Sequence, residues 1–321
     1  MDHTMKIWLI IGAVLVVLGF TIFAIIMTVN HWDFSRLSTV KYVTNTHSFS
    51  EAVTDISIKT ATADILFALS EDDSCKVVCH EQENLLHTVA LQDGTLTIRQ
   101  TDERKWYDYV GISFGSTKIT LYLPQSIYGM LTVGASTGNV TLPKEFGFES
   151  MEISITTGDI RTSASVSGIA KLQTSTGDIR VEGTNTGTLD LSVTTGQVTV
   201  SNVTCDRDVS IGVSTGKARV TDLTCLNLAS HGTTGDLTLT NVVATGSFQL
   251  KRGTGDIHFD KCDADQITVK TTTGDVTGSL LSDKIFLTHT STGNIDVPKT
   301  AEGGKCEIST GTGDIKISIE A

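Results

Sequence analysis

The side chains with the most obvious chemical potential in this 321-residue chain form a spaced series of acids and amides. Asn139, Asp159, Asp178, Asp236, Asp256, Asp275, Asn294 and Asp314 each follow a Thr-Gly pair, and Gln197 and Lys217 take the same place in two further copies. Carboxylates stacked in a column would be candidates for calcium, which takes six to eight oxygen ligands. One carboxylate per unit supplies too few, however, and Lys217 would place a cation in the column. The Gly-Gly-x-Gly-x-Asp loop of calcium-binding nonapeptide repeats is also absent. The spacing therefore reads as turn chemistry, with Asp or Asn hydrogen-bonding its own backbone to close a bend.

The other candidates are similarly weighed. Cys75, Cys79, Cys205, Cys225, Cys262 and Cys306 match no zinc spacing such as paired Cys-x-x-Cys. Cys205 and Cys225 each lie nine residues after a repeat glycine, so they are predicted to stack on adjacent units with parallel side chains. That geometry favours two buried thiols over an easy disulfide. Cys75 and Cys79 read as packing residues on one strand face. His231 and His289 fall four residues before a repeat glycine and His258 three after one, so they do not form one column and define no triad. Arg252 sits where apolar residues are expected and would mark a local wobble of register. Thr174-Ser-Thr176 and Thr271-Thr-Thr273 could form a hydroxyl array for water or carbohydrate. Their parity matches the apolar positions, so an inward, hydrogen-bonded ladder is expected. A polysaccharide-active solenoid gathers carboxylates or bases among long coil-specific loops, for which units of 19 or 20 residues leave no room. No catalytic, cofactor-binding or metal residue is assigned, and no cofactor is expected.

The elements behind this series are regular. Gly138, Gly158, Gly177, Gly196, Gly216, Gly235, Gly255, Gly274, Gly293 and Gly313 follow one another at intervals of 19 or 20 residues, each after a threonine. Such a period marks a repeat architecture in which each unit stacks only on its neighbours. Seven and five residues before the glycine stand pairs such as Met151 and Ile153, or Leu189 and Leu191. Two residues after it the position is always apolar, from Val140 to Ile315. Strict alternation marks strands with one buried face, and its parity flips at the Gly-Asp pair, as a corner requires. Glycine adopts the necessary left-handed backbone without steric cost. Each unit then reads as strand, corner, strand and a looser return of roughly eight residues. The fold class is all-β: a β-solenoid of about ten coils, and at a strand spacing of about 4.8 Å a rod of roughly 45–50 Å.

Before the repeats, residues 1–6 form a short tail and Ile7–Val29 is a charge-free run long enough to span a bilayer as a helix. Trp8 and Trp32 flank it, as suits the membrane interface. The run is longer than a usual signal-peptide core and no small-x-small cleavage pattern follows it, so an uncleaved anchor is predicted. Lys6 on one side and Arg36 and Lys41 on the other leave the charge bias nearly neutral. The short tail places the carboxyl-terminal body outside. Residues 30–42 read as a juxtamembrane linker, 43–129 as an irregular β region capping the solenoid, and 130–321 as the solenoid repeats. Within 43–129, Asp55–Ile65 is a degenerate repeat in which Ala63 replaces the corner glycine. Lys76–Cys79, Gly94–Arg99 and Lys118–Pro124 read as strands, and Ser70–Ser74 and Gln100–Asp108 as loops.

This order of anchor, Thr-Ala-Asp-Ile strand, Leu-Tyr-Leu-Pro strand and Ser-Thr-Gly-Asp-Ile repeats resembles the bacterial putative-adhesin family, a domain of unknown function built of β-strand repeats. The similarity covers about residues 43 to 321. It implies a surface or envelope solenoid without catalytic residues. A net charge of −12 argues against nucleic acid as a partner. The expected partners are the lipid bilayer through residues 7–29, and protein or glycan on the solenoid. The function expected is that of a non-catalytic, membrane-anchored structural or adhesive module. The alternatives are an envelope-stress or regulatory accessory signalling through a membrane partner and, third, a polysaccharide-active enzyme. Lys316–Ala321 ends the chain just past the last corner, so self-association is predicted at that carboxyl-terminal edge, with Ile317 as its probe.

Overall fold

The structure, a computed structural model, describes residues 3–33, 40–72, 74–102 and 115–320. Residues 1–2 of the tail, Arg36, Asp73 and residues 103–108 of the predicted polar loop lie outside the described residues. Helix α1 (His3–Val29) contains the charge-free run, and its Met5–Val29 stretch is long and apolar enough to cross a membrane.

The rest is β-structure. Among the described residues, seven strands precede the regular repeats: β1 (Tyr42–Phe49), β2 (Asp55–Thr62), β3 (Asp64–Leu69), β4 (Cys75–Gln82), β5 (His87–Gln92), β6 (Thr95–Gln100) and β7 (Lys118–Leu123). The repeats run from β8 (Ile127–Thr137) and β9 (Val140–Leu142) through β10–β18 (Gly147 to Thr254) to β19 (Ile257–Thr273). They end in β20 (Val276–Leu280), β21 (Lys284–Thr292), β22 (Ile295–Asp296), β23 (Gly304–Thr312) and β24 (Ile315–Ile319).

Strands entering the corners stack in parallel on one another, as do strands leaving them. Thr137, Thr157, Thr176, Thr195, Thr215, Thr234, Thr254 and Thr273 stand in register through successive pairs. The aliphatic column two residues past the glycine is buried from Val140 to Val276 and at Ile315. Each such Val, Leu or Ile contributes about 1.5–3 kcal/mol when fully buried, so one unit's inward side chains hold it against the next. Ile295 is the exception in that column at 45% exposed, because its unit is outermost.

The return is not loose. Six residues past the corner glycine, Gly183, Asn202, Asp222, Asn241 and Lys261 all take positive φ, between 52° and 61°. This second, left-handed corner bends the chain without ending the strand pairing, since Val203 still pairs with Leu223 and Thr204 with Thr224. Cys205 and Cys225 follow it directly, both buried and unbonded, as the sequence predicted.

Both ends depart from sequence order. Strands β2 and β3 form the degenerate unit, with Thr62 opposite Thr137 and Ala63 at the corner. Parallel β6 and β7 lie outside them, and antiparallel β5, β4 and β1 complete that end. At the other end Thr273 pairs with Thr312, and Thr312 with Thr292. The last unit of the chain is therefore inserted beneath the unit that precedes it. Strand β24 lies between β20 and β22, and Ile317 is 4% exposed. The edge predicted at Lys316–Ala321 is therefore covered only in part: Ile315 and Lys316 lie between two strands, Ile317–Ile319 pair with β20 alone, and the outermost entering strand is β21.

Candidate functional site

The corner column is built from two interlocking constraints. The ten glycines have φ between +122° and +148°, a region open essentially to glycine. A Cβ at Gly158 would also overlap the carbonyl oxygen of Gly138, and the same overlap recurs at Gly177, Gly196 and Gly216 with the preceding corner. The glycine is thus required for close stacking as much as for the turn.

The acidic residues serve the stack too, though not as predicted. They bond the next unit's backbone rather than their own. Asp64 Oδ1 accepts the Asn139 N–H at 2.8 Å, Asn139 Oδ1 that of Asp159 at 2.9 Å, and Asp159 Oδ1 that of Asp178 at 2.9 Å. The series continues from Asp178 to Gln197 at 2.8 Å, and again from Asp256 to Asp275, Asp275 to Asp314 and Asp314 to Asn294. That last sequence follows the spatial order of the units rather than the chain. In the opposite direction the Gly158 N–H donates to Thr176 O at 2.9 Å. Gln197 turns instead to Thr199, and Lys217 pairs with Asp236 at 3.1 Å, holding that carboxyl below its usual range. With one oxygen per carboxylate engaged by backbone, the column is a structural clip.

The threonines divide into two columns. Those three residues before the glycine are hydrogen-bonded, buried at Thr174 and Thr310 and half-buried at Thr290: Thr174 Oγ1 donates to Gly158 O at 3.0 Å, Thr310 to Gly274 O at 3.0 Å and Thr290 to Gly313 O at 3.0 Å. Those immediately before it, from Thr137 to Thr312, are exposed, as are most of their preceding Ser and Thr neighbours. The expected inward ladder is thus confined to the first column. The second column presents hydroxyls to solvent along the whole rod.

Arg252 causes no register wobble, since it pairs in step with Gly232 and Thr271. It is 3% exposed, and its Nη2 donates to Ser230 Oγ at 2.9 Å and its Nη1 to Lys251 O at 3.1 Å. Gly232 supplies the space, for a Cβ there would sit 2.9 Å from Arg252 Nη1. Burial brings the guanidinium down to about 10.

The amino-terminal end buries a polar group that the sequence did not announce. Glu81 Oε2 accepts the His87 backbone N–H at 2.7 Å and lies 2.6 Å from His87 Nδ1. Asn45 Nδ2 donates to Glu81 Oε1 at 2.8 Å, and His87 Nε2 pairs with Thr60 Oγ1 at 2.9 Å. The Cys79 thiol joins them, with the three ligand-type atoms within 4.8 Å of one another. The carboxylate and imidazole already saturate each other, and burial with the Glu81 charge pushes the thiol up to about 12. Glu81 and His87 thus form a closed hydrogen-bonded knot in the cap core, with the Cys79 thiol beside it.

At the opposite end a groove of about 590 Å³ is lined by His258, Asp296, Pro298, Lys316 and Ile319. It exists because β22 pairs with β24 over only Ile295 and Asp296, leaving the rest of β24 uncovered on that side. His231, His258 and His289 are all exposed and lie on three different strands, with His258 alone of the three in this groove.

Stacked corners, parallel ladders and an apolar bore define a β-solenoid. The chain belongs to the Toastrack DUF4097 family, whose model matches residues 53–212 and 206–321. This match bears out the resemblance read from the repeats. Among solved structures, one described as a putative lipid binding protein from Parabacteroides distasonis is 18% identical, with a TM-score of 0.50 over 73% of this chain and 96% of that one. A putative adhesin from Bacteroides fragilis is 16% identical, with a TM-score of 0.40 over 87% and 97%. Another from Parabacteroides merdae is 14% identical, with a TM-score of 0.41 over 87% and 96%. No curated protein matches the chain.

Proposed function

We propose that this chain is a membrane-anchored, extracytoplasmic β-solenoid that works by contact, as a structural or adhesive module without catalysis. The observation that carries the reading is the repeated exposed column of Ser and Thr hydroxyls beside each corner, set on a rod whose interior is consumed by packing. Such a surface offers many identical shallow contacts, each weak, whose sum depends on multiplicity. Protein or glycan is the partner class that suits shallow hydroxyl-rich ladders. Helix α1 supplies the bilayer attachment through residues 7–29. The acidic body disfavours nucleic acid and an anionic membrane surface. Protease shaving of intact cells tests the reading. Loss of the body with retention of an α1 fragment is expected, and a body protected until lysis would remove it.

A further inference from the structure

The unit order at the carboxyl-terminal end leaves β21 with a partner on one side only. It pairs with β23, and among the described residues nothing pairs with its outer edge. Natural edges are blunted by charge, proline, a bulge or a cover. Residues 285–295 contain no Asp, Glu, Lys, Arg or Pro. Lys284, just before them, is buried and neutralised by Asp263 at 2.7 Å. On this last layer Ile285 is 43% exposed, Leu287 51% and Ile295 45%, while Phe286 and Val297 pack on the core without a further layer over them.

We propose that this end is the docking surface for a second copy of the chain, with β21 pairing antiparallel to β21 of the second copy across a two-fold axis. An antiparallel pair satisfies the self-complementarity that such an axis requires, residue i meeting j while j meets i. The charge distribution selects this occupant. Two bodies of net charge −12 repel through their flanks, and the charge-free run 285–295 on the terminal layer is where they meet with least of that penalty. The two rods become collinear, tail to tail, with their caps and anchors at opposite ends. The inference rests on the adhesive reading for one step only, that the paired rods come from facing membranes. A single edge pairing is smaller than the roughly 1,200–2,000 Å² of a stable interface, so each contact is weak and density on the membrane supplies the avidity.

The test uses the full chain in detergent and in vesicles. All six native cysteines are buried, so Leu287→Cys adds one exposed thiol. Oxidation is expected to yield a covalent dimer, while Gln173→Cys, exposed at mid-rod, stays monomeric. Leu287→Lys is expected to halve the mass seen by light scattering in concentrated samples, with its circular dichroism unchanged. A monomeric wild type, or a dimer indifferent to Leu287→Lys and not trapped by Leu287→Cys, overturns the proposal. Vesicles carrying the chain are expected to dock with one another. A trapped dimer without docking upholds the edge pairing and sinks the adhesive reading instead.

Discussion

The two ends of the rod solve the same problem in opposite ways. At the amino-terminal end, antiparallel β1, β4 and β5 leave the parallel stacking pattern and bring in polar residues, with Glu81 and His87 buried and bonded from every side. At the carboxyl-terminal end the stack simply stops, in parallel register, on a layer whose inward Phe286 is half covered. Solenoids generally need an atypical terminal unit with a polar outer face. One end has it. The difference teaches that the corner chemistry specifies how units stack but not where stacking ends. Termination is written separately, in irregular sequence, and here it is written once.

The largest effect separating the ends should come from corner substitutions. Gly138→Ala and Gly293→Ala both force a Cβ against a neighbouring carbonyl at strongly positive φ. Gly138 is held between the degenerate unit and the next repeat, so about 4 kcal/mol of strain and overlap is expected. Gly293 lies in the outermost layer, which can move aside, and about 1–2 kcal/mol is expected. Chemical denaturation of both variants measures the contrast, and equal losses would mean that the carboxyl-terminal layer is as tightly held as the cap.

Next in size, Glu81→Ala strips the His87 ring and backbone N–H and the Asn45 amide of their buried acceptor. About 3 kcal/mol of destabilisation is expected, read as a lowered midpoint. Leu287→Ala, on the open edge, is expected to shift that midpoint by under about 1 kcal/mol. A reversed ranking would break the distinction between a built cap and a bare end.

Alkaline pH gives a smaller, graded effect. Burial pushes the thiols of Cys79, Cys225 and Cys306 up to about 12 from an ordinary 9.0. The unfolded chain then releases protons that the folded chain keeps, so stability is level below about pH 9 and falls between about 9 and 12. Melting temperature at pH 8 and 10.5 checks the sign. Alkylation under native conditions sharpens the comparison: Cys306, one strand in from the open edge, should react before Cys79 in the cap despite its strongly raised thiol.

Much of the fold was legible because its cause is local. A corner that demands glycine for both φ and clearance leaves a mark at every unit, and alternation on either side of it reports the buried face. The degenerate unit was legible for the same reason, since Thr62-Ala63-Asp64 keeps the corner's neighbours even without the glycine. A second column was equally readable and was passed over: Gly183, Asn202, Asp222 and Asn241 are residue types that tolerate left-handed backbone, six places after each glycine. Lys261 hides that signal in its unit. The unit order at the carboxyl terminus was not legible, because stacking partners are interchangeable in sequence. Thr273 finds the same threonine and the same apolar follow-up in Thr312 and Ile315 as in Thr292 and Ile295. The Glu81–His87 knot lay in irregular strands, where no period announces which residues meet. Exposure of the last threonine before each corner was misjudged because the bend rotates that side chain off the strand's parity.

The central claim is that the last unit of the chain lies inside and β21 lies at the end. Amide hydrogen exchange on the full chain tests it most directly. Residues 285–292 are expected to exchange fastest among the solenoid strands, with 306–312 and 315–316 protected between two neighbours. Fast exchange in 306–316 with protection of 285–292 would restore the sequence order of units and contradict the account.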